Sequence, residues 1–191
     1  MKQFKFIILT LIPLFFLCIF MICISGFSKP MNEHDEILEN YPQLKDDKHI
    51  IDILNGEETL KMISNKESFV LLMGFTSCPW CQALMPHYNK VAKEEGLKKI
   101  YYLDILDMRN NPDSSDKIYY DALYTYCHDA LDTKHDRISA PTIIVVKEGK
   151  LIGYHLGTVD SHVFEGGTLP PLNDNQIKEL QQILKDLYKL L

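Results

Sequence analysis

Two cysteines two residues apart, in Thr76-Ser77-Cys78-Pro79-Trp80-Cys81, are the residues of this 191-residue chain whose types and spacing most directly carry chemistry. At that spacing two sulfurs can close a small disulfide ring. If the pair opens a helix, the unpaired N–H groups of the first turn stabilise a thiolate on the first cysteine. Cys78 is then the expected nucleophile, exposed to a substrate disulfide. Cys81, one turn in and more buried, is the thiol that resolves the mixed disulfide. Pro79 suits the first helical position, where a missing N–H costs nothing. Read instead as half of a zinc site, the pair lacks ligands. Zinc takes four, no second CxxC occurs, and His87 stands six residues beyond Cys81, off its helical face. No metal and no bound cofactor are expected.

Such a pair needs a rigid element to present it. Ser68 to Phe75 is a continuous apolar run that reads as a strand buried on both faces. A helical stretch from Cys81 to about Glu95 and a strand at Ile100–Ile105 follow, which makes a parallel, right-handed βαβ unit. Upstream, His49–Leu54 reads as a short strand, Asn55-Gly56 as a turn and Glu57–Ser64 as a helix. Downstream, Asn110-Asn111-Pro112-Asp113 marks a turn and Lys117–Leu131 a tyrosine-rich helix. Thr142–Lys147 and Leu151–Leu156 flank Glu148-Gly149-Lys150 as a hairpin. Asn173 or Asp174 caps a last helix, Asn175–Leu190, with Ile177, Leu180, Ile183, Leu184 and Leu187 on one face. This order gives an α/β class with a mixed central sheet and helices on both faces.

Composition narrows the partners. Twenty basic residues stand against 26 acidic ones, a net charge of −6, and only Arg109 and Arg137 are arginines. Nucleic-acid binding is excluded, because phosphate contacts require clustered cations. Phe6 to Ile24 is a run of nineteen in which only Thr10 and Pro13 are not strongly apolar. A helix of that length reaches across the ~30 Å of a bilayer core. Lys2 and Lys5 precede the run and no acid occurs before Glu33, so the N-terminus is expected inside and the remainder outside. The run exceeds the usual signal-peptide core, which favours an uncleaved anchor over a secreted protein cleaved near Ser25 or Gly26. Cys18 and Cys23 lack the small preceding residue that lipid attachment requires and read as apolar helix positions. Residues 1–27 are thus expected to be anchor or signal, 28–47 a linker with Pro30 and Pro42, and 48–191 the folded domain.

Ala140-Pro141-Thr142 stands just before a strongly apolar strand. If its X–Pro bond is cis, the Ala140 backbone would lie beside the cysteines and could pair with a substrate strand. Together with the strand Phe69–Phe75, the CxxC, Pro86 five residues after the second cysteine, the hairpin and the last helix, it makes residues 48–191 resemble the thioredoxin superfamily. The resemblance implies a thioredoxin fold and thiol–disulfide oxidoreductase activity at Cys78 and Cys81. It implies Pro79 and Trp80 as the active-site dipeptide, and Ala140, Pro141 and Thr142 as a substrate-binding cis-proline loop. Its partners would be protein or peptide disulfides and an unidentified redox partner. The anchored architecture and Thr142–His162 also look like small exported thioredoxin-like proteins of Gram-positive bacteria, some called bacteriocin transport accessory proteins.

Departures from the family pattern bear on mechanism. Thioredoxin carries a buried aspartate six residues before its first cysteine, where this chain has Leu72, and a tryptophan just before that cysteine, where it has Ser77. Proton removal from Cys81 must then use water or another carboxylate, with Asp104 a candidate. Trp80 either shapes the substrate surface, shields the disulfide or packs. Cys127 reads as a buried apolar side chain or, alternatively, as a regulatory or resolving thiol. His128 and His135 lack an acidic or histidine partner at ligand spacing. The expected protein is a membrane-anchored, extracytoplasmic thiol–disulfide oxidoreductase of open direction. The alternative is a non-catalytic, chaperone-like module that binds secreted peptides.

Overall fold

A computed structural model describes residues 33–191. The apolar run at residues 6–24, with Cys18 and Cys23, lies outside the described residues. Among those described, no helix is long and apolar enough to cross a membrane.

The elements are α1 (Glu33–Asn40), β1 (Ile51–Ile53), α2 (Gly56–Ser64), β2 (Phe69–Gly74), α3 (Pro79–Glu94), β3 (Ile100–Asp104), α4 (Leu106–Asn110) and α5 (Lys117–Tyr126). A 3₁₀ turn (His128–Ala130), β4 (Thr142–Lys147), β5 (Lys150–Leu156) and α6 (Asp174–Tyr188) complete the chain. One five-stranded sheet runs in the order β1-β3-β2-β4-β5. β1, β3 and β2 are parallel, whereas β4 is antiparallel to β2 and β5 to β4. This is the thioredoxin-like α/β arrangement expected above, a mixed sheet with helices on both faces.

Strand alternation divides the core in two. Val70, Leu72, Tyr102, Ile143 and Val145 point to the face covered by α1, α3 and α6. Phe69, Leu71, Met73, Leu103, Ile144 and Val146 point to the other, against Tyr120, Leu123 and Cys127. All six residues of β2 are buried, as a central strand's continuous apolar run requires. α2 and α6 both begin in capping boxes, Asn55 with Glu58 and Asn173 with Gln176, each satisfying two helix-end donors reciprocally. The β4–β5 turn takes positive φ at Glu148 (52°) and Gly149 (75°), the twist a two-residue hairpin needs.

Two expectations change. The segment expected as a linker over 28–47 contains α1, and Ile37, Tyr41 and Leu44 are buried in the first core cluster. The compact unit therefore begins at Glu33 and not at residue 48. The tyrosine-rich helix expected to reach Leu131 stops at Tyr126, where Cys127 turns the chain into the 3₁₀ segment.

α6 holds α3 in place. Tyr188 Oη donates to the Tyr88 carbonyl at 3.1 Å, and Tyr88 Oη donates to the Tyr101 carbonyl at 2.8 Å, which links α6 through α3 to the sheet. Leu180 and Leu184 are fully buried in that seam. Leu180→Ala is expected to lower unfolding free energy by about 3 kcal/mol, the usual cost of a buried leucine cavity. Urea denaturation checks it; a loss below about 1 kcal/mol is inconsistent with this packing.

Candidate active site

The end of β2 positions the cysteine pair. After Gly74 the chain turns, and Cys78, with extended φ/ψ of −83° and 117°, becomes the N-cap of α3. Its sulfur accepts the Cys81 N–H at 3.4 Å, and its carbonyl accepts the Gln82 N–H at 3.0 Å. Pro79 takes the first helical position, and Pro86 lies within the helix. A Cβ on Gly74 would stand 2.8 Å from Cys81 Sγ, so only glycine lets that sulfur rest on the strand backbone.

Both cysteines are free thiols. Cys81 is fully buried, as expected. Cys78, expected to be exposed, is only 4% exposed. In its thiol form it donates to the Ala140 carbonyl of the cis-proline loop at 3.3 Å. It remains reachable from one side, where it lines a groove of about 860 Å³.

The Ala140–Pro141 bond is cis. Ala140 is half-buried and lines the groove. Pro141 is buried, and its carbonyl accepts the Gly157 N–H at 2.9 Å. Thr142 is fully buried in β4, and its hydroxyl donates to the Ser139 carbonyl at 2.9 Å. Of the three expected substrate-binding residues, only Ala140 faces the groove. The side chain of Thr142 braces the loop from behind, because the strand's alternation turns it inward.

The two thiols are strongly unequal. Cys78 is lowered to about 7, chiefly by the hydrogen bond from the Cys81 thiol. The backbone N–H groups of Cys81 and Trp80 and the charge of Arg109 add to this, against the cost of burial. Burial, with the hydrogen bond and charge of Cys78, pushes Cys81 far above the ordinary thiol range. The arrangement thus suits one thiolate at the helix start and one protonated thiol behind it.

Sequence reasoning missed Arg109. It leaves the short helix α4, stacks over the Phe75 ring at 5.1 Å and donates from Nη1 to the Ile138 carbonyl at 3.2 Å. These contacts hold its charge beside the groove. A faint signal was present, since an arginine is unusual in a chain that otherwise uses lysine. A tyrosine chain also went unread. Tyr41 Oη donates to Tyr102 Oη at 3.0 Å, and Tyr102 Oη donates to Asp104 Oδ2 at 3.2 Å. Tyr102 lies opposite Leu72 in the β2–β3 register, so hydroxyls occupy the neighbourhood where a buried acid is missing. Asp104 itself is exposed at the end of β3.

Trp80 packs and shapes at once. Its Nε1 donates to the His162 carbonyl at 3.0 Å, and its ring meets Phe164 edge-on at 4.8 Å. His162 is buried, contacting Thr158 Oγ1 and the Pro170 carbonyl at 2.8 Å each, and so fixes the β5–α6 loop beside Trp80. Cys127 is fully buried in the cluster on the opposite face of the sheet from Cys78 and Cys81, and burial raises it to about 12. It is the buried apolar side chain, and the resolving-thiol alternative does not fit. His135 does have an acidic neighbour, Asp132 Oδ2 at 2.6 Å, which the spacing did not reveal. Among the described residues no three His, Cys, Asp or Glu side chains group as a metal site.

No family model matches the chain, and no curated protein matches it. Solved structures similar to it include mitochondrial thioredoxin 3 of Saccharomyces cerevisiae in its oxidised form. That match has 18% identity and a TM-score of 0.41, and covers 78% of this chain and 99% of that one. Thioredoxin O2 of Arabidopsis thaliana in the oxidised state matches with 16% identity and a TM-score of 0.44, covering 74% and 96%. Thioredoxin of Trypanosoma brucei brucei matches with 16% identity and a TM-score of 0.41, covering 74% and 96%.

The depressed Cys78 has a direct kinetic signature. Its alkylation by iodoacetamide in the reduced protein is expected to rise about tenfold per pH unit below about 7 and to flatten once the thiolate is fully populated. Arg109→Gln removes a cation that favours the thiolate, so the midpoint moves up. A wild-type midpoint at or above the ordinary ~8.5 contradicts this environment.

Proposed function

We propose that the chain is a thiol–disulfide oxidoreductase with Cys78 as nucleophile and Cys81 as resolving thiol, acting on protein or peptide disulfides outside the cytoplasm. The observation that carries this reading is the inequality of the pair. Cys78, at the helix start, accepts the Cys81 N–H and opens onto the groove, while Cys81 sits fully buried behind it.

In the reducing direction the Cys78 thiolate attacks one sulfur of the substrate disulfide, forms the mixed disulfide and expels the other sulfur as a thiolate. Cys81 loses its proton and attacks the Cys78 sulfur. The Cys78–Cys81 disulfide forms and the second substrate sulfur leaves. Two electrons pass to the substrate, whose two thiolates take up the proton lost by Cys81 and one from solvent, matching the proton Cys78 released on forming its thiolate. In the reverse direction a substrate dithiol reduces the protein's disulfide. Either cycle requires a separate redox partner to reset the pair. Pro79 and Trp80 form the surface around the nucleophile, and the Ala140 carbonyl offers an acceptor to an extended substrate backbone.

The pair is expected to exchange with a peptide disulfide in a defined thiol buffer. Cys81→Ser should accumulate the mixed disulfide on Cys78, and Cys78→Ser should abolish exchange. Full biological function in a Cys78→Ser, Cys81→Ser double variant would instead favour the non-catalytic peptide-binding module.

The apolar run at residues 6–24 supports a single-pass anchor with the folded domain on the outer side. The cell-associated protein is expected to keep its N-terminal residues and to resist carbonate extraction. An N-terminal sequence that begins just after Ser25 or Gly26 replaces the anchor with a cleaved signal.

A further inference from the structure

Both arginines of the chain, Arg109 and Arg137, line the groove that Cys78 lines. The eighteen lysines are spread along the sequence, so this pairing concentrates the chain's only guanidinium groups at one site. Every ion pair among the described residues uses a lysine or a histidine, and neither arginine takes part in one.

Two carboxylates, Asp129 and Asp132, line the same groove, and each is engaged by a partner other than an arginine. Asp132 Oδ1 accepts the Lys134 N–H at 2.9 Å, while Oδ2 accepts from Ser139 Oγ at 2.9 Å and meets His135 Nδ1 at 2.6 Å. That carboxylate is spent on folding the loop that carries Arg137, whose own carbonyl accepts the Asp132 N–H at 2.9 Å. Asp129 stands 3.3 Å from His128 Nδ1. Arg109 is half-buried, fixed by Ile138 and Phe75, while Arg137 is exposed. Burial and the neighbouring charge of Arg137 both work against the charged form of Arg109. With Lys134, the groove lining holds three cations against two carboxylates, Asp129 and Asp132, and this excess of positive charge favours an anion. A guanidinium's planar fork matches a carboxylate better than an ammonium does.

We propose that this groove selects acidic peptide disulfides, binding a carboxylate beside the reacting cystine through Arg109 and Arg137. The proposal rests on the exchange reaction assigned above and adds the class of its substrate. The carboxylate comes from an acidic side chain or from a free chain terminus.

The test uses disulfide-linked dimers of one short peptide, capped at both ends, with Glu, Gln or Lys next to the cysteine. A fourth peptide carries Gln and a free C-terminal carboxylate. At low salt the Glu peptide is expected to exceed the Gln peptide in kcat/KM by about fivefold, and the Lys peptide to fall below both. The Glu/Gln ratio should fall below twofold at about 0.5 M salt, where screening is short-ranged. It should also fall below twofold in Arg137→Gln and recover in part in Arg137→Lys. It should persist in Lys178→Gln, which removes a positive charge from the exposed surface of α6. A matching gain with the free-terminus peptide assigns the carboxylate to either source. Glu and Gln rates within twofold of each other, with exchange intact, overturn the proposal and leave the reaction standing. Absence of exchange with every peptide overturns the reaction instead. In that case calorimetry with the S-methylated Glu and Gln peptides decides the site: tighter Glu binding that is lost in Arg137→Gln supports it, and equal affinities overturn it.

Discussion

The geometry of the site depends on how closely the Cys81 sulfur approaches the end of β2. Gly74 supplies the space, since any Cβ there would stand 2.8 Å from Sγ. Resting on backbone, Cys81 is sealed from water and its thiol is held protonated. Its N–H and S–H then both serve Cys78, one covalent turn away. The inequality between the thiols therefore arises from packing, with charge acting second. The same Cβ would lie 3.9 Å from Cε2 of Tyr102, so sulfur and phenol flank one glycine. The Tyr41–Tyr102–Asp104 hydroxyl chain leads from that contact to an exposed carboxylate.

Holding α3 against the sheet is the task of the rest of the fold. α3 contributes Leu84, Met85, Tyr88, Val91 and Ala92 to the first core cluster, and α6 answers with Leu180, Leu184, Leu187 and Tyr188. Burial on this scale, at about 25 cal/mol per Å² of apolar surface, outweighs the helix-propensity cost of Pro86. The helix survives its internal proline because tertiary packing decides, with propensity a weak prior.

The parts legible in the sequence were those whose signals are local and redundant. β2 is a fully apolar run, Asn173 caps the last helix three residues before Gln176, and Pro79 opens the helix that follows Cys78. α1 was missed because its eight residues are mostly charged or polar, and its burial comes down to Ile37 and the Tyr41 and Leu44 that follow it. The loop before Ala140 was missed for a different reason. Its shape comes from one carboxylate, Asp132, that bonds to Lys134, His135 and Ser139, and no periodicity announces such a hub. Thr142 was assigned to the groove by its place in a motif, whereas its orientation is a matter of strand phase. In register with Met73 and Leu156, it turns inward.

A chain with 26 acids and 20 bases repels anions at long range, yet its groove carries both arginines. The two statements are compatible because they act over different distances. At physiological ionic strength the screening length is about 8 Å, so the acids spread over the surface contribute little inside the groove. There the lining charges are Arg109, half-buried against Phe75 and Ile138, with Arg137 and Lys134, set against Asp129 and Asp132, the latter already engaged by its own loop. Net charge thus governs how the molecule meets a membrane or a polyanion, while the local pair governs what settles beside Cys78. Arg109 serves both the nucleophile and the groove, since the cation that favours the Cys78 thiolate is also half of the guanidinium pair. An anion seated on that pair would partly neutralise the support the thiolate receives. The geometry couples the charge of whatever occupies the groove to the reactivity of the sulfur it lies against.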